Sequence, residues 1–325
     1  MSQDCRTVTT SSLHLQDSTL SPQDSLQLQP YFIAGFIDAE ASFYVRISKN
    51  SNCSTGWLVA ARFNISLHEK DRALLERLAY TLGVGKIYKE SRDSVQYVVS
   101  SSKDLKVVID YFDKYPLITQ KLADYQLFKQ AFELISNKEH LSTEGLKKLV
   151  AIKASMNQGL SDDLKAVFSD VVSAPRPVVV DQVIKDPHWV TGFTSGEGCF
   201  FIGIWDSSSH KLGSQVKLTV QITQSLRDQA LMISLIEYLG CGKYYPVLKN
   251  NKGNFVVVKF SDITDKIIPF FNKYPLQGAK ASDFADFCKV AEIIKEKGHL
   301  RVDGLEEIRK IKAGMNRGRS VIQGS

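Results

Sequence analysis

Two glutamates of this 325-residue chain lie at matching positions of a repeated motif, and both could bind a divalent metal ion. Glu40 lies in residues 33–43, and Glu197 has the same place in residues 190–200. Two carboxylates held close together repel each other unless a cation lies between them. Mg²⁺ is commonly bound by one or two carboxylates with water and phosphate oxygens. The pair therefore indicates metal-assisted phosphodiester hydrolysis, and the repeat favours this over the alternative, solvated charges at two helix ends.

Each glutamate follows two small residues, four positions apart, on its own predicted helix. Residues i and i+4 share one face of a helix. Small side chains on that face let two helix backbones approach closely. We therefore expect the two helices to pack through this face, the motif-helix interface, which brings both carboxylates to one end of the helix pair. The interface residues are Gly35 and Ala39 in the first helix and Gly192 and Gly196 in the second.

The two motifs belong to a duplication of a whole domain. Residues 82–86 recur 157 positions later as residues 239–243, and residues 114–117 recur 159 positions later as residues 273–276. Register held over so long a stretch is the mark of an internal repeat. We expect the two extra residues of the second copy to lie in a hairpin loop.

Each copy predicts the element order αββαββα plus an extra helix, so the predicted fold class is mixed α/β (α+β) with two pseudo-symmetric halves. In the first copy we expect a helix at 30–40, strands at 42–48 and 59–66, a helix at 71–82, a hairpin within 87–100, and helices near 103–113, 119–136 and 142–156. The predicted organisation is a disordered leader (1–28), a first domain (29–168), a proline-containing linker (169–187), a second domain (188–320) and a tail (321–325).

Composition narrows the function classes further. The chain has 41 Lys and Arg against 35 Asp and Glu, and this net charge of +6 mildly favours a polyanionic partner. No window approaches the ~18 consecutive apolar residues of a membrane-spanning helix. The five cysteines contain no C-x-x-C pair, so the sequence supports neither a zinc knuckle nor a disulfide framework.

The repeated segments resemble the LAGLIDADG motif of homing endonucleases, and the two copies in one chain resemble the single-chain members, most closely the I-OnuI-like subgroup. The similarity covers about residues 30–320 and includes the Lys-Tyr-Pro-Leu, His-Leu-x-x-x-Gly-Leu and Met-Asn-x-Gly segments of both copies. It implies a monomer whose β-sheet saddles bind double-stranded DNA and which cuts both strands of a long asymmetric site. It also implies a mitochondrial, intron-encoded protein that uses Mg²⁺, accepts Mn²⁺, and binds DNA without cleavage in Ca²⁺.

The resemblance assigns roles to particular side chains. Glu40 and Glu197, at the eighth position of the motif, are implied to bind the metal and direct cleavage. Lys121 and Lys280 are implied to lie in a basic pocket near the scissile phosphates, although each lysine alone could be a solvated surface charge. Gln224 matches a polar pocket position whose first-half counterpart is a leucine.

Both motifs depart from the family pattern. Ala41 stands where glycine is usual, and Thr194 and Ser195 stand where an apolar and an acidic residue are usual. Alanine disfavours a left-handed exit from a helix. We therefore expect the geometry at Glu40 to be altered.

Alternation within the strands predicts which side chains face the DNA. Outward polar side chains can hydrogen-bond to base edges in a major groove, although an ordinary solvated sheet face has the same composition. The predicted DNA-binding residues are Ser42, Tyr44, Arg46, Ser48, Arg62, Asn64, Ser66, Arg92, Phe201, Gly203, Trp205, Gln215, Lys217, Thr219, Gln221, Thr223, Lys249 and Lys252. Loops 49–55 and 249–254 are expected to contact phosphates or flanking bases. The unequal faces predict a non-palindromic site.

Two other functions stay open at this point. One is an RNA maturase that assists intron splicing on the same scaffold, with or without cleavage. Exposed aromatic side chains at Tyr44, Phe201 and Trp205 would suit single-stranded RNA. The other is a DNA-binding regulator derived from an inactive nuclease, which would require defective metal binding.

Overall fold

The computed structural model describes residues 26–209 and 212–319. Most of the expected leader (1–25) and the expected tail (321–325) lie outside these residues. Leu28, the last residue of the expected leader, is buried, and its amide donates a hydrogen bond to Thr81 Oγ1 at 3.1 Å. Leu28 therefore belongs to the first hydrophobic core.

The first half has the predicted elements in the predicted order. They are α1 (Pro30–Glu40), β1 (Ala41–Lys49), β2 (Trp57–His68), α2 (Arg72–Leu82), β3 (Lys86–Lys89), β4 (Ser94–Val99), α3 (Ser102–Lys114), α4 (Lys121–Ser136) and α5 (Thr143–Ala154). Gly83, with φ +70°, ends α2 in the left-handed conformation that glycine adopts without strain. A short helix that was not predicted, α6 (Asp162–Val167), follows α5.

The second half repeats this order after an extended segment. Its elements are α7 (Pro187–Glu197), β5 (Gly198–Asp206), β6 (Ser214–Ser225), α8 (Gln229–Leu239), β7 (Lys243–Val247), β8 (Lys252–Val257), α9 (Phe260–Asp262), α10 (Ile268–Lys273), α11 (Ala279–Lys295) and α12 (Val302–Ala313). Pro187 lies in the first turn of α7, where its missing N–H leaves no bond unmade. Pro246 lies on β7, an edge strand.

Each half contains one four-stranded antiparallel sheet, with strand orders β1-β2-β4-β3 and β5-β6-β8-β7. The helices cover one face of each sheet, where buried aromatic rings pack around Phe43 in the first half and Phe200 in the second. The other face carries the alternate, more exposed side chains of the strands. The predicted fold class is therefore confirmed.

The expectation that both extra residues lie in a hairpin loop is only half right. Val99 pairs with Phe63 and Val257 with Val220, so the counterparts on these last strands are 158 positions apart and one residue is added in the β7–β8 turn. The other is added in the π-helical turn Ile263–Ile267, which joins α9 to α10 where the first half has the single helix α3. A π-turn accommodates one extra residue within a helix, so the helix can keep its packing face.

Among the described residues, none of the helices is both long and apolar enough to cross a bilayer.

Candidate functional site

The centre of the molecule is the contact between helices α1 and α7. A Cβ added to Gly35 would lie 2.0 Å from the carbonyl oxygen of Trp189, and one added to Gly192 would lie 2.0 Å from that of Phe32. An added Cβ at Gly196 would lie 2.5 Å from Cβ of Ala39. The structure thus brings the four predicted interface residues together, because only small residues leave room for two backbones at this distance.

The exit from each motif helix is extended, and the expectation of a left-handed exit is wrong. Ala41 has φ −82° and ψ 160°, and Gly198 has φ −77° and ψ 153°. Alanine adopts this region freely. The substitution of alanine for glycine therefore leaves the direction of the chain at Glu40 unchanged.

Glu40 is carried across the interface toward the second half. Its Oε1 lies 3.0 Å from the position of a Cβ added to Gly196. Burial raises the pKa of Glu40, while the charges of Lys121 and Lys280 act in the opposite direction. The carboxyl lines a cleft of about 440 Å³ together with Lys70 and Lys280.

Glu197 is the more perturbed of the two acids. Burial raises its pKa to about 7, and the charge of Glu40 adds to the rise against Lys121, Lys252 and Lys280. Repulsion of Glu197 by Glu40 requires the two carboxylates to be near each other. The approach of Glu40 Oε1 to Gly196, the neighbour of Glu197, agrees with this, so the structure brings the two acids to the same end of the helix pair.

The two predicted lysines lie beside the motif helices. Lys121 Nζ donates to the carbonyl oxygens of Ile37 at 2.9 Å and Ala39 at 3.2 Å, and Lys280 Nζ donates to that of Gly198 at 2.5 Å. Burial lowers the pKa of Lys121 to about 8. Both cations are thus fixed within electrostatic reach of the acids.

The surroundings of the two acids differ. Gln224 Nε2 lies 3.5 Å from Glu197 Oε1, in a cleft of about 300 Å³ that Lys252 also lines. In the cleft of Glu40 the residue at the position of Gln224 is Leu67. The second acid therefore has a side-chain donor and a flanking cation from its own half that the first lacks at these positions.

Sequence reasoning missed Asp38, which lies two residues before Glu40. Its fully buried carboxylate accepts hydrogen bonds from the amide of Ile118 at 3.0 Å, the hydroxyl of Thr119 at 2.5 Å and Nε1 of Trp189 at 2.9 Å. An acid in an otherwise apolar helix was the available signal, since such a group requires buried partners.

Sequence reasoning also missed two basic side chains that contact the opposite half. Lys70 Nζ donates to the carbonyl oxygen of Asn316 at 3.3 Å, and Arg227 Nη1 lies 4.0 Å from Asp124 Oδ2. Lys70 and Arg227 are 157 positions apart, so the repeat register pairs them. Two basic residues at matched positions were the available signal.

The outer sheet faces carry most of the predicted DNA-binding residues as expected. Exposed are Tyr44, Arg46, Arg62, Ser66, Arg92, Phe201, Trp205, Gln215, Lys217, Lys249 and Lys252, and half-buried are Ser42, Ser48, Asn64, Thr219, Gln221 and Thr223. Gly203 is an exception, because it is buried beneath the indole of Trp205, whose Cη2 lies 1.9 Å from the position of an added Cβ. The expectation that Gly203 is exposed is therefore wrong.

Lysines missed by the sequence analysis cover two of the aromatic rings on these faces. Lys153 Nζ lies 5.0 Å from the ring centre of Tyr44, and Lys312 Nζ lies 5.8 Å from that of Phe201. Both distances fall within the range of cation–π attraction. The two halves therefore present matched lysine–aromatic pairs on their outer faces.

The donor set at the helix ends fits a hard divalent cation. Carboxylate oxygens are the ligands that Mg²⁺ and Ca²⁺ prefer, and positive charge near Glu197 acts against the rise in its pKa. Within residues 26–209 and 212–319, no group of three or more His, Cys, Asp or Glu side chains is arranged to hold a metal.

The fold and the site together define a two-motif protein with one acid from each half at a shared interface. The sequence profile of the LAGLIDADG endonucleases matches residues 33–132 and 190–291. The chain belongs to the LAGLIDADG endonuclease family.

Individual relatives agree with this assignment. Probable intron-encoded endonucleases 3 and 2 of Neurospora crassa are 42% and 40% identical to this chain, over 87% and 88% of its length. The matches span 54% and 64% of those two relatives.

A solved structure matches nearly end to end. The LAGLIDADG homing endonuclease I-SmaMI, bound to cleaved DNA, is 48% identical and superposes with a TM-score of 0.89 over 90% of this chain and 99% of its own. The same protein has been solved on an uncleaved target in the presence of calcium ions, and as variants with two lysines replaced by alanine, singly and together.

Proposed function

We propose that this protein is a site-specific homing endonuclease that makes double-strand breaks in a long, asymmetric DNA target. The observation that carries the proposal is the pair of carboxylates, Glu40 and Glu197, held together at the end of the α1–α7 helix pair by backbone contact. Burial raises the pKa of both carboxyls, and the charge of Glu40 raises that of Glu197 further. Groups so perturbed beside a cleft are typical of functional sites.

Glu40 and Glu197 are the residues that would hold the divalent ion, and we propose Mg²⁺, with Mn²⁺ as a substitute. When bound, such an ion would neutralise charge on the scissile phosphate and make its bound water more acidic. The complex of I-SmaMI with an uncleaved DNA target in the presence of calcium ions supports use of a divalent ion and agrees with the proposal that Ca²⁺ permits binding without cleavage.

The chain's own residues then supply positioning and charge. Lys121 and Lys280, fixed by backbone carbonyls, place positive charge where negative charge develops on the phosphate. The two lysines replaced in the I-SmaMI variants are separated by the same number of residues as Lys121 and Lys280, which supports this role. Gln224 would orient the carboxylate of Glu197.

The outer sheet faces would bind the DNA. Arginine, lysine and glutamine side chains such as Arg46, Arg62, Lys217 and Gln215 suit base edges in the major groove. The two faces differ in sequence, which favours an asymmetric target. A monomer suffices, because one chain supplies both halves and both acids. We further propose intron-encoded expression in a mitochondrion, in line with the intron-encoded relatives.

The test is a selection followed by cleavage. Purified protein is mixed with a random duplex library in Ca²⁺, and the enriched duplexes are then exposed to Mg²⁺ beside Glu40→Gln and Glu197→Gln variants. We expect cutting of both strands at one long site and its loss in both variants. Tight duplex binding without cleavage would favour the regulator. Absence of any enriched duplex would favour the RNA maturase, and intron RNA would be the next substrate.

A further inference from the structure

Two aspartates form a reciprocal set of hydrogen bonds across the interface. Asp71 of the first half accepts from the amide of Ala279 in the second half, with 2.7 Å between Oδ1 and N. Asp228 of the second half accepts from the amide of Gln120 in the first half, also at 2.7 Å. The aspartates are 157 positions apart and correspond to each other in the repeat.

Each of these amides immediately precedes a lysine of the site. Ala279 precedes Lys280 at the start of α11, and Gln120 precedes Lys121 at the start of α4. The first amides of a helix have no partner within it and need an acceptor from outside. Neither helix has a side-chain cap from its own N-cap residue. For the amides of Ala279 and Gln120 the acceptor comes from the opposite half, while the next amide of α4, that of Lys121, donates to Thr119 Oγ1 of its own half at 3.2 Å.

The aspartates are held firmly enough to fix what they bind. Asp228 is buried, and its Oδ1 also accepts from Nε2 of Gln182 at 2.9 Å. On the other side, a Cβ added to Gly278 would lie 2.5 Å from Asp71 Oδ1, so the carboxylate contacts the backbone directly before α11. The start of each lysine helix therefore rests on the opposite half.

We propose that Asp71 and Asp228 are positioning residues that act in trans, Asp71 on Lys280 and Asp228 on Lys121. The inference rests on the proposed endonuclease function for the role of the lysines. Each half then lacks one support of the helix that carries its own lysine, and the full set of supports exists only when the halves are docked. Cleavage competence is thereby tied to the α1–α7 interface.

The two supports are unequal. The segment before Lys121 is also held by Asp38, which accepts from the amide of Ile118 and the hydroxyl of Thr119. The segment before Lys280 lacks such a buried carboxylate and is held at Gln277, whose amide donates to Ser195 Oγ at 3.2 Å and whose Oε1 accepts from Arg77 Nη1 at 2.5 Å. Loss of the aspartate that supports Lys280 is therefore expected to have the larger effect.

The test compares strand-specific rates in six variants. Single-turnover nicking is measured on a duplex labelled differently on its two strands, for Asp71→Ala, Asp71→Asn, Asp228→Ala, Asp228→Asn, Lys121→Met and Lys280→Met. We expect Asp71→Ala to lower the rate about 10- to 100-fold, a range typical of residues that orient a catalytic group. Its ratio of strand rates should match that of Lys280→Met, and Asp228→Ala should match Lys121→Met with a smaller loss.

The asparagine variants separate placement from charge. Asparagine keeps the oxygen that accepts from the helix amide and is as good a cap as aspartate, so both Asn variants should recover most of the rate. Ser142→Ala is the matched control, because it removes the cap of α5, whose amide of Gly145 donates to Ser142 Oγ at 3.1 Å, and α5 carries none of the proposed catalytic residues. It should leave both strand rates unchanged.

A ratio of strand rates unlike that of the corresponding lysine variant, or Asn variants as slow as Ala, would overturn the proposal. Hydrogen exchange provides a readout without cleavage. Peptides over 277–284 should exchange faster only in Asp71→Ala, and peptides over 118–125 only in Asp228→Ala. A wild-type protein that cuts no duplex would refute the endonuclease function, and the exchange pattern would still decide whether the aspartates fix the opposite helix.

Discussion

The two halves agree in how they pack and differ in what surrounds their acids. Gly35 and Gly192 each accept the opposite backbone at the same distance, 2.0 Å from an added Cβ to a carbonyl oxygen. Asn157 and Asn316, both with positive φ, each donate through Nδ2 to a carbonyl oxygen on the first strand of their own half. A contact made by two copies of one surface constrains both copies equally.

The residues around Glu40 and Glu197 are not constrained by this contact between the two halves. Glu197 has Gln224 and Lys252 near it, whereas the Glu40 cleft has Leu67 and Ser94 at the corresponding places. Despite the added cation, burial and the charge of Glu40 together raise the pKa of Glu197 to about 7. The duplication has therefore preserved the motif-helix interface, while the surroundings of the two acids have diverged.

The largest expected effect is the loss of either acid. Glu40→Gln and Glu197→Gln remove one charged ligand each, and we expect cleavage in Mg²⁺ to fall roughly 10³-fold or more, since a metal supplies several kcal/mol of charge stabilisation. Single-turnover rates on both strands measure the loss, and affinity in Ca²⁺ should stay near that of the wild type.

Glu76→Gln is the matched control, because Glu76 is an exposed acid on α2 with 56% of its side chain accessible. It should cut as the wild type does. If Glu40→Gln slowed one strand and Glu197→Gln the other, the halves would act independently. Wild-type rates on both strands in either variant would refute the assignment of that acid.

The next prediction tests whether the motif-helix interface is symmetric. Gly35→Ala and Gly192→Ala each place a methyl group against a backbone carbonyl, and we expect the free energy of unfolding to drop by roughly 2–4 kcal/mol in both. Urea unfolding measures the change.

Gly83→Ala is the comparison variant, because Gly83 has φ +70° but no atom within 4 Å of an added Cβ. It should cost only about 1 kcal/mol, the strain of a left-handed alanine. Markedly unequal losses of unfolding free energy in the Gly35 and Gly192 variants would contradict a symmetric motif-helix interface.

A third prediction concerns how differently the two acids affect the free energy of unfolding. The folded-state pKa of Glu197 lies above the unfolded value of 4.5, so its contribution is favourable below about pH 4.5 and is lost as the pH rises through about 7. Glu197→Gln should therefore stabilise the protein by roughly 1–3 kcal/mol at pH 8. The gain should shrink as the pH falls from 7 toward 4.5.

Glu40→Gln serves as the internal comparison. Burial also raises the pKa of Glu40, but the rise is smaller than at Glu197, where the charge of Glu40 adds to it, so the gain at pH 8 should be smaller. Urea unfolding at pH 5 and pH 8 without divalent ions gives both differences. A Glu197→Gln variant no more stable than the wild type at pH 8 would show that the carboxylate is not destabilised by its site.

The sequence predicted the parts of the fold and site that depend on local pattern and on the repeat. Strand alternation placed Phe43 and Phe200 in the cores, and the matched glutamates followed from a constant offset. The π-turn Ile263–Ile267 could not be predicted, because an extra residue fits a loop or a helix equally well in the pattern. Only packing decides between them.

Contacts between distant residues explain the other differences. Gly203 alternates correctly with its neighbours, yet Trp205 folds over it. The bond from Lys70 to Asn316 joins residues 246 positions apart, so no local pattern contains it. Asp38 is a different case, because an acid in an apolar helix predicts that a buried hydrogen-bond partner exists. The sequence does not predict that this partner is Trp189 of the other half.

The smallest expected effect concerns Gln224 and Leu67, which occupy matching positions in the two clefts and can be exchanged. Gln224→Leu removes the donor that lies 3.5 Å from Glu197 Oε1, and we expect about a tenfold slower cut of one strand, the value of a hydrogen bond to a charged group. The reciprocal Leu67→Gln adds an amide to the Glu40 cleft, which has no donor at this position in the wild type, so it should change either strand by less than about threefold. Rates on a strand-labelled duplex measure both variants. If Leu67→Gln accelerated its strand as much as Gln224→Leu slowed the other, the clefts would be interchangeable and the divergence would lie in the DNA they receive. If instead only the loss at Gln224 is felt, Glu197 depends on a donor that Glu40 does not need, and the two halves cut by unequal means.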